Sequence, residues 1–229
     1  MSEQIIECIS LCKEYISKKQ KVDALININL LINKNETVFL KGRSGAGKST
    51  LLSLMSGLLK PSSGKVIVDN RCINEISDEE LSKLLSDKIG IIFQSFNLLP
   101  TYTVFENIEI AIVLKGLKES LVKENILSYL EKFNLLDKAH LLPSELSVGQ
   151  QQKVAIIRTL IKQPFIIFAD EPTGSVDDET AGDILNQLMN FRREKQGTLV
   201  IATHGNIPDK FADRVYILEN GQIQLNSKA

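Results

Sequence analysis

The stretch that decides the fold reads Gly42-Arg43-Ser44-Gly45-Ala46-Gly47-Lys48-Ser49-Thr50. It matches G-x-x-x-x-G-K-[ST], the pattern of a phosphate-binding loop. The apolar run Thr37-Val38-Phe39-Leu40 before it predicts a buried strand, and Leu51-Leu52-Ser53-Leu54-Met55 after it predicts a helix. This order favours phosphate binding, because backbone N–H groups and a helix N-terminus attract anions.

The polar side chains of the loop predict separate roles. Lys48 can reach the β- and γ-phosphates of a nucleotide, and we expect its ammonium group to be exposed in an empty site. The Ser49 hydroxyl is placed to ligate Mg²⁺, and Thr50 lies in the same first turn, within reach of phosphate. The loop therefore predicts nucleotide binding without saying which class of nucleotide hydrolase this is.

Length and composition set broad limits. The chain has 229 residues, a net charge of −1 and 43% hydrophobic residues, which suits one large or two small domains with a buried core. The near-neutral charge argues against a nucleic-acid partner, since a basic patch is the usual footprint. No segment reaches the roughly 18 apolar residues of a membrane span. Residues 1–7 are acidic and lack a long apolar run, so we expect no signal peptide there. The three cysteines, Cys8, Cys12 and Cys72, are expected to be unpaired thiols in a reducing cytosol.

The first part of the chain predicts strands on both sides of the loop. Residues 3–11 alternate apolar and polar, and residues 22–32 read as a second strand. Ile89-Gly90-Ile91-Ile92-Phe93 predicts a buried strand that ends at Gln94. Tyr15 has two interpretations at this stage, an aromatic residue packed at an edge or a stacking platform for a nucleotide base.

The middle of the chain predicts helices only. Residues 104–114 have a helical apolar period, and a second helix follows from residues 122–133. No strand candidate lies between Gln94 and Lys162. We therefore predict one domain over residues 1–229, with a helical subdomain at 95–162 inserted into a core of 1–94 and 163–229.

Two further polar clusters stand near predicted element ends. Leu146-Ser147-Val148-Gly149-Gln150 precedes a predicted helix at 154–161, so Ser147 is either an ordinary N-cap or part of a second anion site. Asp170 and Glu171 end a buried strand, where adjacent carboxylates need a cation or solvent. The strand pleat places them on opposite sides, so Asp170 is expected to bind Mg²⁺ through water and Glu171 to polarise a water. His204 ends the strand at 199–203, at the edge where open α/β sheets bind ligands.

Five motifs in this order resemble the nucleotide-binding domain of ATP-binding-cassette (ABC) transporters over essentially the whole chain. They are the phosphate loop, the glutamine-loop residue Gln94, the signature-like segment 146–150, the acid pair Asp170–Glu171 and the switch histidine His204. The resemblance implies an α/β fold, a P-loop NTPase core with a mixed sheet, an N-terminal antiparallel β subdomain and an inserted α-helical subdomain. It also identifies Tyr15 as the aromatic residue that stacks on adenine.

The resemblance implies an ATPase that uses ATP and Mg²⁺. In a head-to-tail dimer with a second copy, ATP lies between the phosphate loop of one chain and Ser147, Gly149 and Gln150 of the other. Catalysis is assigned to Lys48, Gln94, Glu171 and His204, and metal binding to Ser49, Gln94 and Asp170. An integral membrane permease would dock near residues 95–110, placing the chain in the cytoplasm, peripheral to the inner (plasma) membrane.

Finer motifs, Thr103-Val104-Phe105-Glu106-Asn107-Ile108 and Glu171-Pro172-Thr173-Gly174, resemble the branch of lipoprotein-release, macrolide-export, antimicrobial-peptide-export and cell-division cassettes. Two functions stay open: energising export or extraction through a permease, and acting as an ATP-gated regulatory cassette on a membrane partner without transport. Substrate, transport direction and permease are not predicted. Val148 replaces the first glycine of the Leu-Ser-Gly-Gly-Gln signature, and its effect on hydrolysis or dimer closure is open.

Overall fold

The computed structural model describes residues 3–17, 20–113, 118–204 and 207–226. Its strands are β1 (Gln4–Ser17), β2 (Gln20–Asn33), β3 (Thr37–Lys41), β4 (Ser63–Val68), β5 (Arg71–Cys72), β6 (Ile89–Ile92), β7 (Ile166–Asp170), β8 (Thr198–Thr203), β9 (Arg214–Glu219) and β10 (Gln222–Leu225). Its α-helices are α1 (Lys48–Met55), α2 (Asp78–Asp87), α3 (Val104–Glu109), α4 (Glu119–Lys132), α5 (Val148–Leu160) and α6 (Asp178–Lys195). Among the described residues, no helix is long and apolar enough to cross a bilayer.

The N-terminal part forms an antiparallel sheet in the order β2-β1-β4-β5. This confirms the expected antiparallel β unit, but β1 continues to Ser17, so Tyr15 lies within a strand. The reason is a pair of irregularities in the β1–β2 register, where Ser10 and Asn27 take positive φ values of 46° and 50°. Such bulges interrupt the two-residue alternation on which the shorter strand prediction depended.

The central sheet has the order β10-β9-β3-β8-β7-β6. Strands β6, β7, β8, β3 and β9 run parallel and β10 is antiparallel, which confirms the mixed sheet. The β9–β10 turn has φ of 49° at Asn220 and 73° at Gly221, as a tight hairpin turn requires. Because β3 lies between β8 and β9, the end of β3 is surrounded by elements from the C-terminal third of the chain.

Two hydrophobic clusters cover the two faces of the central sheet. Phe39 and Ile201 face helices α3–α6, whereas Val38, Leu40 and Phe168 face α1 and the antiparallel sheet. Burial on both faces explains the continuous apolar runs of the parallel strands. The described part of residues 95–162 contains helices and turns and no strand; its division from the core as a subdomain stays a prediction.

Two helices differ from the sequence-based expectations. The helix predicted at 104–114 is wrong in length, since α3 ends at Glu109 and turns follow at 110–113, with Leu114 outside the described residues. α5 starts at Val148 instead of 154. Both helices begin with a capping box, Thr103 with Glu106 and Ser147 with Gln150, which fixes their first turns.

Asn107 is a fully buried polar residue on α3. Its Oδ1 accepts a hydrogen bond from the N–H of Leu99 at 2.8 Å, and its Nδ2 lies 3.1 Å from the Leu99 carbonyl. Nδ2 also lies 2.9 Å from the carbonyl of Tyr102 and 3.0 Å from that of Thr103. One side chain thus satisfies the backbone of the turn that leads into α3.

We predict that Asn107→Ala lowers the free energy of unfolding by about 1–3 kcal/mol, because it leaves a buried N–H and carbonyl groups without a partner. Urea unfolding followed by circular dichroism measures this. The control is Asn125→Ala on the exposed side of α4, which should change stability by less than about 0.5 kcal/mol. Equal losses of stability in Asn107→Ala and Asn125→Ala would contradict the role of Asn107 as the hydrogen-bond partner of this turn.

Candidate functional site

A cavity of about 810 Å³ lies at the carboxyl edge of the central sheet. It brings together many of the residues singled out from the sequence, namely Tyr15, Ser44, Gly45, Gly47, Lys48, Ser49, Thr50, Gln94, Glu171 and His204. The remaining loop residues Arg43 and Ala46 line a neighbouring depression beside Leu218. The phosphate loop, the glutamine and the histidine therefore share one site although they are far apart in sequence.

The glycines at the two ends of the loop are required by close packing. A Cβ atom at Gly42 would lie 2.3 Å from the carbonyl oxygen of Leu218. Gly47 has φ of 102°, and a Cβ atom there would lie 2.7 Å from the carbonyl oxygen of Ala24. Strands β2 and β9 therefore press against the loop, and only glycine allows that approach.

Lys48 is buried, with 6% exposure, so the expectation of an exposed ammonium group is wrong. Its Nζ donates to the carbonyl oxygens of Gly42 at 2.9 Å and Arg43 at 3.2 Å. It also lies 3.6 Å from Oε1 of Glu171. The reason is electrostatic, because a cation that leaves water needs hydrogen-bond acceptors and a counter-charge.

Asp170 ends β7 beside the start of α1. The pKa of Asp170 is raised above its ordinary value, mainly because the carboxyl group is buried. The hydrogen bond from Ser49 and the charge of Lys48 lower the pKa, whereas the charge of Glu171 raises it further. Its Oδ1 is buried and has no hydrogen-bond partner. A carboxylate with an unsatisfied oxygen next to a hydroxyl is a set of hard oxygen donors, which fits Mg²⁺.

Among the described residues, no group of three or more His, Cys, Asp or Glu side chains forms a metal site. Mg²⁺ does not require one, since it is held by one or two carboxylates together with water and phosphate oxygens. The donors near Ser49 and Asp170 therefore fit a metal that arrives with a phosphate ligand.

Glu171 lies just after the end of β7 and does not continue the extended backbone of that strand. β7 ends at Asp170, and Glu171 has φ of 47°, so the pleat rule that placed the two acids on opposite sides does not apply. Its carboxylate lies between Lys48 and His204, with Oε2 2.7 Å from Nδ1 of His204. A nearly buried carboxylate, an imidazole and an ammonium group thus form one chain of contacts.

Tyr15 borders the cavity from strand β1. Its ring is 44% exposed, its hydroxyl lies 3.5 Å from Oγ1 of Thr50, and Nζ of Lys13 lies 5.4 Å from the ring centroid. Tyr15 thus lies beside the phosphate loop with an accessible side chain, and its role as a stacking platform stays a prediction. Together with Tyr15, five residues that were not predicted from the sequence form one wall of the cavity: Val22, Asp23, Ala24, Asn220 and Gly221.

The tip of the β9–β10 hairpin joins that wall through the backbone. The N–H of Ile26 donates to the carbonyl of Gly221 at 2.7 Å. The Asn-Gly pair is a local turn signal, but the position of the turn against β2 depends on a long-range contact that no local signal gives. No local pattern in residues 22–24 marks them as part of a site.

The signature-like residues lie on another surface. Ser147 is the N-cap of α5: its hydroxyl accepts from the N–H of Gln150 at 3.3 Å, and Gln150 Oε1 accepts from the N–H of Ser147 at 2.9 Å. Ser147 therefore caps α5, and this geometry leaves the predicted anion-binding role a prediction. Ser147, Val148, Gly149 and Gln150 line a depression of about 410 Å³ with Asp177 and Thr180, separate from the first cavity.

The site has a glycine-rich loop between β3 and α1, a lysine that points into this loop, and acids at the end of β7, two strands away from β3 in the sheet. These features define the class of P-loop nucleotide-binding proteins. The family model described as ABC transporter matches residues 25–174. The chain belongs to the ABC transporter family, and it is one of that family's ATP-binding, ATP-hydrolysing cassettes.

Curated relatives cover nearly the whole chain. It is 37% identical over 228 residues to the ABC transporter ATP-binding protein MJ0796 of Methanocaldococcus jannaschii, with 98% of this chain and 97% of that protein covered. It is 35% identical over 223 residues to the lipoprotein-releasing system protein LolD of Blochmanniella floridana, covering 97% and 95%. It is also 39% identical over 220 residues to the methionine import protein MetN 1 of Bacillus cereus, covering 96% of this chain and 63% of that protein.

A solved structure confirms the fold. The dimeric post-hydrolysis state of the MJ0796 cassette bound to ADP and Pi superposes with a TM-score of 0.92 at 36% identity, covering 97% of this chain and 98% of that one. Similar identity to a releasing-system protein and to an import protein shows that overall likeness does not decide transport direction.

We predict that Tyr15→Ala weakens ATP binding by about tenfold to a hundredfold, because base–aromatic stacking contributes roughly 1–3 kcal/mol. Tyr15→Trp keeps a ring at that position and should bind ATP as the parent chain does. Isothermal titration with ATP measures both. The control is Tyr102→Ala, an exposed tyrosine outside the cavity; unchanged affinity in Tyr15→Ala would leave Tyr15 as an edge-packing residue.

Proposed function

We propose that this chain is the ATP-hydrolysing subunit of an ABC transporter and energises export or extraction of a substrate through a separate membrane permease. The observation that carries the proposal is the contact chain Lys48–Glu171–His204 at the end of the phosphate loop. Phosphoryl transfer to water requires a cation to bind phosphate and a carboxylate to polarise the water. Lys48 and Glu171 supply these two groups, and the His204 imidazole contacts Glu171.

The contacts of Lys48 suggest how the site responds to ATP. Its ammonium group has acceptors in two loop carbonyls and lies near Glu171. Phosphate oxygens carry more negative charge than those carbonyls, so ATP would draw Lys48 toward the γ-phosphate and weaken its pairing with Glu171. The Glu171 carboxylate would then accept a proton from the attacking water, with His204 held beside it.

The remaining roles follow from position. Ser49, Asp170 and Gln94 would hold Mg²⁺, and the loop amides from Gly42 to Thr50 would cradle the phosphates. Bound Mg²⁺ would neutralise charge that develops on the phosphates. Asp170 keeps one carboxylate oxygen without a hydrogen bond for this purpose.

A second copy of the chain would complete the site. Ser147, Gly149 and Gln150 line a different surface from the phosphate loop, so one copy cannot place both on the same nucleotide. A head-to-tail dimer would bring the α5 N-terminus of one copy to the γ-phosphate held by the other. The dimeric MJ0796 structures support self-dimerisation.

The permease would dock on the side of the helical region near residues 95–110. Exposed apolar side chains lie there, namely Leu99, Tyr102, Ile110 and Val113. Beside them is a groove of about 450 Å³ lined by Leu58, Leu85, Phe93 and Arg158 among others. Docking would hold the chain peripherally at the cytoplasmic face of the inner membrane.

The same ATP cycle would also serve a regulatory cassette of the cell-division type, and the membrane partner distinguishes the two functions. Affinity purification of the detergent-solubilised complex, followed by mass spectrometry, identifies that partner. A polytopic permease supports transport, and a partner that only controls a hydrolase overturns it.

We predict that Glu171→Gln binds MgATP but hydrolyses it about 10²–10⁴-fold more slowly, because the general base is lost. The variant should accumulate as an ATP-bound dimer in sedimentation experiments. Phosphate release measures the rate, with Glu124→Gln on the exposed face of α4 as the control. Near-normal turnover in Glu171→Gln would remove Glu171 from its proposed role.

We predict that Val148→Gly retains ATPase activity and tightens the ATP-bound dimer. Val148 is 48% exposed between Ser147 and Gly149, so its side chain adds bulk where the partner would approach. The glycine costs about 0.5–1 kcal/mol of helix stability, which we expect closer contact to exceed. Sedimentation of Glu171→Gln with ATP, with and without Val148→Gly, measures this. Val113→Gly is the control, and a weaker dimer in the Val148 double variant would contradict the geometric argument.

A further inference from the structure

Side chains at the C-terminal end of α5 and in the turn after it donate to backbone carbonyls of α2 and β6. Thr159 Oγ1 donates to the carbonyl of Ile91 at 3.0 Å, and Lys162 Nζ donates to the carbonyls of Leu85 and Ile89 at 2.9 and 3.1 Å. β6 lies at the edge of the central sheet, so its outward carbonyls need such donors. These two contacts have a structural explanation.

Arg158 lies in α5 and donates hydrogen bonds to the loop that follows β6. Its Nη2 donates to the carbonyl of Phe96 and its Nη1 to that of Asn97, each at 2.7 Å. Arg158 is half-buried, and this burial lowers the pKa of its guanidinium group. Within the described parts of the chain, it forms no ion pair with a carboxylate. A partly buried charge thus holds two carbonyl groups of one loop.

The held loop has an unfavourable backbone. Phe96 and Asn97 have consecutive positive φ values of 58° and 50°. Left-handed conformations are unusual for residues other than glycine, and more so for a bulky one such as phenylalanine. The two charge-assisted hydrogen bonds from Arg158 help to hold this conformation, together with short-range backbone hydrogen bonds within the loop.

This loop carries Gln94 into the nucleotide cavity. Gln94 lies two residues after the end of β6 and two residues before Phe96, and its side chain lines the cavity. At the other end of α5, Ser147 caps the helix about 16 Å from Arg158, given a rise of 1.5 Å per residue. One rigid helix therefore joins the residues proposed to meet the partner's nucleotide with the loop that places Gln94.

We propose that Arg158 is a positioning residue that fixes Gln94 against α5. Movement of the α5 N-terminus when the dimer closes would then move the loop and bring Gln94 to the metal and water. The inference rests on the proposed role of Gln94 in the ATP site. Arg158 itself contacts neither nucleotide nor water in this scheme.

The matched variants are Arg158→Gln in α5 and Lys162→Gln in the turn that follows α5, each of which removes two side-chain bonds to backbone carbonyls. Arg158→Lys keeps the charge but loses the two-pronged geometry, and it covers the case in which Arg158→Gln folds poorly. We expect Arg158→Gln to lower kcat by about 10–100-fold, as loss of a group that supports a ligand does. The KM for ATP should change little, and Lys162→Gln should keep the parent kcat.

A readout without nucleotide tests the loop directly. Amide hydrogen exchange of peptides spanning residues 93–99 should accelerate in Arg158→Gln and Arg158→Lys but not in Lys162→Gln. If thermal stability falls while loop exchange and kcat per folded molecule stay at parent values, Arg158 is only a packing residue and the proposal is overturned.

A double-mutant cycle separates this inference from the proposed function. If Arg158 acts through Gln94, then Arg158→Gln adds no further loss of kcat to Gln94→Ala. Additive losses would overturn the positioning role while leaving Gln94 in the site. Full activity of Gln94→Ala alone would instead refute the proposed role of Gln94, and the positioning role of Arg158 with it.

Discussion

The ammonium group of Lys48 is the interaction on which the site depends. It is buried, hydrogen-bonded to the carbonyls of Gly42 and Arg43, and 3.6 Å from Glu171, which in turn contacts His204. A buried cation is tolerated only with such acceptors and counter-charge. The same contacts hold the phosphate loop, the end of β7 and the end of β8 in one arrangement, so the charges of the site also organise its backbone.

The sheet order makes that arrangement possible. β3 lies between β8 and β9, and β7 lies next to β8, so parallel strands from distant parts of the chain end at one edge. Side chains at those ends meet without any local sequence relation. The antiparallel sheet then closes the cavity from the other side, where Ala24 packs against Gly47 and Ile26 bonds to Gly221.

Features governed by local backbone chemistry were predicted well. The strand–loop–helix around Lys48 and the buried strand before Gln94 both appear in the structure. Features that depend on irregular backbone were predicted poorly. The alternation of apolar and polar residues breaks at the bulge near Ser10, so the second half of β1 was not predicted. Glu171 has a positive φ and therefore does not follow the alternation of side chains along β7.

The sequence alone determined the chemical groups of the site, the ABC transporter family and the alternation of strands and helices, because motif spacing and apolar period are properties of neighbouring residues. Only the tertiary structure decided that Lys48 is buried, that residues 22–24 and the β9–β10 turn form a wall of the cavity, and that Arg158 holds the loop after Gln94. The physical reason is that burial, and contacts between separate elements of the chain, follow from how whole elements pack, which no local pattern records.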